Sequence, residues 1–124
     1  MKKTLFLVIF TLFCIGNIQA LHVVEEVPEF PGGMTELTKF IQENMQYPKI
    51  AIKKGIEGRV ICQFTVTKDG SIEDIIVVRG LHKSLDKEAV RVIKKMPKWK
   101  PGKNYKGEVQ NYKYTIPVTF KLPK

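Results

Sequence analysis

Two β-prone runs joined by Lys68-Asp69-Gly70-Ser71 constrain this 124-residue chain more than any other feature. Asp-Gly between two such runs is the signal of a tight antiparallel hairpin, because glycine reaches the positive-φ turn conformations that other residues avoid. The first run, residues 58–67, puts Val60, Cys62, Phe64 and Val66 on one face and Ile61, Gln63, Thr65 and Thr67 on the other. The second, residues 72–79, alternates less well. Ile75, Ile76, Val77 and Val78 are consecutive, which calls for a bulge or for burial on both faces. A third run alternates most cleanly. Tyr112, Tyr114, Ile116, Val118, Phe120 and Leu122 face one way, and Lys113, Thr115, Pro117, Thr119 and Lys121 face the other.

Helical spacing fills the remainder. After the turn Phe30-Pro31-Gly32-Gly33, the apolar residues Leu37, Phe40, Ile41 and Met45 recur at helical intervals. Tyr47-Pro48 stops that helix, and Pro48 is suited to open a short one that Gly55 ends. Ser84 is placed to cap a second long helix with the stripe Leu85, Ala89, Val92, Ile93 and Met96. Its acidic residues come first and its lysines last, as the helix dipole favours, and Pro97 ends it. The order predicts an α+β fold: a three-stranded antiparallel sheet with two main helices and a short one packed on one face.

The N-terminus reads as an address. Lys2-Lys3, the apolar run of residues 4–15 and a small residue at Ala20 form a secretory signal pattern. The run is shorter than the ~20 apolar residues of a membrane-spanning helix, the alternative being an uncleaved inner-membrane signal anchor. Residues 1–20 are thus assigned to the signal, 21–29 to a short acidic lead-in and 30–124 to one domain. Lysine and arginine number 21 against 12 acidic residues, a net charge of +9. Such a surplus suits nucleic acid in a cytosolic protein; export argues against nucleic acid and for an envelope partner. Once the signal and its Cys14 are gone, Cys62 stands alone, either buried as a small hydrophobe or pairing two copies as a homodimer.

Catalytic chemistry finds little support. His82 and Asp86 lack a matching nucleophile, so a surface contact or helix cap accounts for them. There is no phosphate-cradling glycine motif, and Asp69 and Asp74 lack calcium-loop spacing. Neither an enzyme nor a cofactor is expected. Two binding features remain. One is the basic loop, where Lys98, Lys100 and Lys103 surround Trp99. The other is the last strand, which Pro117 marks as an edge strand, because proline cannot donate to a sheet ladder. A free edge is either guarded or used to capture an extended peptide.

Seven segments in order, Glu25 to Gly33, Gln46-Tyr47-Pro48, Gly55 to Val60, Phe64-Thr65-Val66, Asp69-Gly70, Trp99-Lys100-Pro101-Gly102 and Pro117 to Phe120, resemble the TonB C-terminal domain. The Pro-Glu-Phe-Pro-Gly-Gly start is similar to versions found in Bacteroidota. The resemblance implies a periplasmic α+β module from a family of energy transducers. It binds the TonB-box peptide of outer-membrane receptors as a strand beside the last strand of its sheet. Carried over by position, the peptide site comprises Gln46, Tyr47 and Pro48, and the strand residues Val109, Gln110, Asn111, Tyr112, Lys113, Tyr114, Thr115 and Ile116. Met45 stands where the family usually has a polar residue. Nine residues, 21–29, separate signal from domain and extend about 30 Å, so a free TonB-type domain is expected rather than a transducer with a long spacer.

Two functions follow. The chain is a peptide-binding module engaging TonB-box-like segments in TonB-dependent transport. Alternatively it is a non-transducing adaptor that docks an envelope partner through its basic loop or exposed edge. Docking through the lysines weakens steeply with salt, whereas strand addition rests on backbone hydrogen bonds and does not.

Overall fold

The computed structural model describes residues 25–123, so the expected export signal at residues 1–20 lies outside the described residues. Two helices come first, α1 (Met34–Asn44) and α2 (Lys49–Lys54), then the hairpin strands β1 (Gly58–Val66) and β2 (Ile72–Arg79). Helix α3 (Lys83–Lys94), two short strands β3 (Gly102–Lys103) and β4 (Val109–Gln110), and β5 (Tyr112–Phe120) complete the chain. The main sheet has the order β2-β1-β5 and is antiparallel throughout. This is the α+β arrangement that the hydrophobic pattern predicts. Among the described residues no helix is long and apolar enough to cross a membrane.

The central strand is β1, and its alternation sets the core. Val60, Cys62, Phe64 and Val66 are buried beside Ile116, Val118 and Phe120 of β5 and Leu85, Ala89, Val92 and Ile93 of α3. The odd-numbered residues of β5, Lys113 to Thr119, are exposed on the opposite face of the sheet. In β2 the apolar run resolves into two bulges. Gln63 pairs with Ile76 but Thr65 with Glu73, and Ile61 pairs with Arg79 but Cys62 with Val77. Each shift inserts one extra residue into β2, and Asp74, at φ 51°, takes the left-handed conformation in the first. Alternation therefore survives, with Ile75 and Val77 turned toward the core and Ile76 and Val78 exposed.

The short helix ends as its sequence predicts, with Gly55 at φ 66° its left-handed C-cap, but Pro48 stands one residue before its start as an extended N-cap rather than as its first residue. The cap of α3 differs from expectation. His82 caps it, not Ser84, because the helix starts at Lys83 and the His82 Nδ1 accepts from the Ser84 backbone N–H at 3.2 Å. Asp86 closes the other side by accepting from the Leu81 N–H at 3.0 Å.

Three further expectations change. Residues 109–120 are not one strand. Val109-Gln110 pairs with Gly102-Lys103 in a separate two-stranded ribbon, and Asn111 at the break accepts from the Lys68 N–H at 3.0 Å. The described part of the lead-in, residues 25–29, joins the fold: Glu26 and Glu29 bridge to Lys103 and Lys100 through backbone hydrogen bonds of 2.8–3.0 Å, and Phe30 after it is buried. Trp99 is no surface ligand. It is 3% exposed and meets Phe30, Phe64 and Tyr114 edge-on at 5.1–5.7 Å. Its backbone N–H donates to the Gly70 carbonyl at 2.9 Å. A Cβ on Gly70 would lie 2.1 Å from the Trp99 oxygen, so this hairpin turn demands glycine both for space and for its φ of 88°.

Cys62 is buried and free, as one of the two readings has it. Burial pushes its thiol up to about 11, with the Asp86 carboxylate adding to the shift. Labelling with a maleimide is expected to be slow in the native protein and fast in denaturant, since the thiolate is the reactive form. Rapid native labelling would place the sulfur at the surface.

Candidate functional site

The two edges of the main sheet differ. On the β2 edge, two bulges and a left-handed aspartate break the row of backbone groups that an incoming strand would need. Strand β5 pairs residue for residue with β1 from Gly58↔Phe120 to Val66↔Tyr112, without a shift. That regular ladder runs through Pro117, opposite Ile61. A proline tolerates this only where its nitrogen points away from the neighbour, so the backbone of residue 117 faces the free side. By the two-residue repeat, Lys113, Thr115 and Thr119 turn their N–H and C=O groups the same way. Among the described residues the β5 edge therefore offers a regular row of unpaired groups with one donor missing, at Pro117.

A groove runs beside that edge. Helix α1 lies along β5 from Met34, near Tyr114, toward Met45, and the space between has a volume of about 520 Å³. Its apolar walls are Met34, Leu37, Ile41 and Met45 from the helix side and Ile116 and Pro117 from the strand. Thr38, Gln42 and Lys121 form polar margins. Met34, at the helix's first turn, is 63% exposed.

The end of α1 is held in place by a charged clamp. Arg91 donates to both Glu88 oxygens at 2.7 Å and to the Asn44 carbonyl at 2.8 Å, while Glu88 accepts from the Gln46 N–H at 2.6 Å. The segment flanking Met45 is thus pinned to α3. Glu88 is only 8% exposed. Burial pushes its carboxyl pKa up, but the bonds from Arg91 and Gln46 and the charge of Arg91 outweigh burial and hold it below the usual glutamate value. Its contribution is therefore complete above the ordinary glutamate range and lost as pH falls through the lowered value. Glu88→Gln is expected to cost about 1–3 kcal/mol at neutral pH. The gap from wild type should narrow in acid, as urea unfolding at pH 7 and at pH 3 would show.

Of the residues expected at the site, Tyr112 to Ile116 lie on the free edge strand, while Val109, Gln110 and Asn111 lie beyond its start in the ribbon and at the break. Tyr47 packs edge-on against Phe120 at 5.7 Å and its hydroxyl donates to the Ile56 carbonyl. Gln46 is engaged by Glu88, and Pro48 caps α2. In the basic loop, Lys98 meets Asp69 at 3.6 Å and Lys103 meets Glu26 at 3.9 Å, so both charges already face acidic partners. Met34, Leu37 and Ile41 were not among the expected site residues. Their signal was the stripe itself: Leu37, Ile41 and Met45 follow Met34 by three, seven and eleven residues and so share one narrow face of α1, whose ends at Met34 and Met45 extend past the core.

The profile of the family described as Gram-negative bacterial TonB protein C-terminal matches residues 43–122. The chain belongs to the TonB C-terminal family. The solution structure of the Helicobacter pylori TonB C-terminal domain is similar, with a TM-score of 0.56 and 29% identity over 73% of this chain and 94% of that one. That of Pseudomonas aeruginosa gives a TM-score of 0.52 and 33% identity over 64% and 80%. Among full-length relatives, TonB of P. aeruginosa is 43% identical over 54 residues, which is 44% of this chain and 15% of that protein. TonB of H. pylori is 49% identical over 54 residues, 40% and 19% respectively. The match to these relatives thus spans less than a fifth of their length. In this member of the family the order β2-β1-β5 leaves one side of the last strand free among the described residues, beside α1.

Proposed function

We propose that this domain works in the bacterial envelope as a peptide-binding module, not an enzyme. It captures an extended TonB-box-like segment of an outer-membrane receptor as an added strand on β5. The observation that carries the reading is the contrast between edges: β5 is regular and lies beside an apolar groove, whereas β2 is bulged. Strand addition uses such an edge, with backbone bonds giving affinity and flanking pockets giving selectivity. Docking through the basic loop has less support, since Trp99 is core and two of the lysines face carboxylates.

The test is titration of a TonB-box-like peptide into isotope-labelled protein. Shifts along residues 113–119 and on the groove side of α1, with an affinity that changes little with salt, are expected. Shifts confined to α3 and residues 98–103, with strong salt dependence, would contradict strand addition and favour docking.

A further inference from the structure

The β2 side of the domain carries a second groove, which strand capture on β5 does not use. It lies between β2 and α3, has a volume of about 370 Å³, and is lined by Val77, Asp86, Lys87, Val90, Arg91 and Lys94. We infer that this groove docks an acidic protein segment, holding one aliphatic side chain of that segment between carboxylates. The two bulges of β2 leave no regular row of backbone groups here, so side chains have to hold the partner. Strand β1 separates the groove from the β5 edge, so the two sites can be filled together.

The pattern of α3 supplies both halves of that chemistry. Its inward face is Leu85, Ala89, Val92 and Ile93. Lys83, Lys87 and Lys94, spaced by four and seven residues, share the outward face, with Val90 among them. Among the described residues these three lysines meet no carboxylate at ion-pair distance, whereas Arg91 is already committed to Glu88 and Asn44. Asp86 stands at one end and is held by the Leu81 N–H, so the pull on an anionic partner centres on Lys87 and Lys94. Val77 and Val90 are half-buried and form an apolar floor beneath them. A recessed floor of two valines takes one Leu- or Ile-sized side chain. A bilayer surface is bound instead by apolar side chains that protrude, which favours a peptide over a membrane.

The experiment titrates two acetylated, amidated peptides, Glu-Glu-Leu-Glu-Glu and Glu-Glu-Ser-Glu-Glu, into isotope-labelled protein at low and physiological salt. Shifts are expected at Val77 and along residues 86–94, with β5 silent and affinity falling as salt rises. The Leu peptide should bind about threefold or more tightly than the Ser peptide, the ratio set by the apolar surface it buries. Replacing both exposed lysines, Lys87→Gln with Lys94→Gln, should weaken both peptides by about threefold to tenfold. Val90→Ser should abolish the Leu preference while leaving the Ser peptide's affinity as it was. A TonB-box-like peptide added to the loaded protein should not displace the acidic one. Equal affinities for the two peptides would mean diffuse attraction to a basic surface and would overturn the groove. Shifts on β5 in place of residues 86–94 would overturn it by assigning acidic segments to the strand site. Phosphatidylglycerol vesicles that broaden the α3 signals while neither peptide moves them would overturn it in favour of a membrane surface. Each of these results leaves strand capture to its own titration.

Discussion

Trp99→Ala is expected to lower the unfolding free energy by about 3–5 kcal/mol, the range for removing a large aromatic side chain from a packed core. The indole ties four parts of the chain together: Phe30 before α1, Phe64 in β1, Tyr114 in β5 and, through its own backbone, the turn at Gly70. Trp99→Phe should cost much less. Among the described residues the indole Nε1 has no hydrogen-bond partner, so phenylalanine forfeits volume but no bond. Urea unfolding followed by circular dichroism separates the two. Similar small losses for both variants would mean that the ring is not the core element described here.

Thr115→Pro is expected to weaken peptide binding by about tenfold or more while changing stability by less than about 1 kcal/mol. Its N–H points away from β1, as does the nitrogen of Pro117, so no bond within the sheet is lost. Its side chain is exposed, and Tyr114 before it is already extended, as a residue preceding proline must be. The incoming strand, however, loses a second donor next to the first. The neighbouring Tyr114→Pro should behave oppositely. Its N–H faces Phe64 of β1, so the ladder breaks and the fold loses about 3 kcal/mol or more. Alternate sensitivity of adjacent positions is the signature of an edge strand with one free side.

Much of this architecture was legible because its periodicities are local. The alternation of β1 and β5, the Asp69-Gly70 turn and the stripe of α3 each lie within about a dozen residues. Pro117 alone gave the free direction of β5. The consecutive Ile75–Val78 called for an irregularity, and the structure shows two bulges. Trp99 was misplaced because the lysines around it suggested a surface patch, although Lys98-Trp99-Lys100 is itself an exposed-buried-exposed alternation. The break at Asn111 depends on a contact with Lys68, and the Glu88–Arg91 clamp on contacts with Asn44 and Gln46, all more than 40 residues away. Such pairings follow from how the elements pack, not from spacing along the chain.

Amide hydrogen exchange at Lys113, Thr115 and Thr119 tests the central claim most directly. In the free protein these N–H groups should exchange quickly although their neighbours Tyr114, Ile116 and Val118 are protected, because they face solvent rather than β1. Adding a TonB-box-like peptide should slow all three while the alternate amides stay as they were. Protection that instead appears in α3 or at residues 98–103, with these three amides still exchanging at their free rates, would contradict capture of a strand on β5.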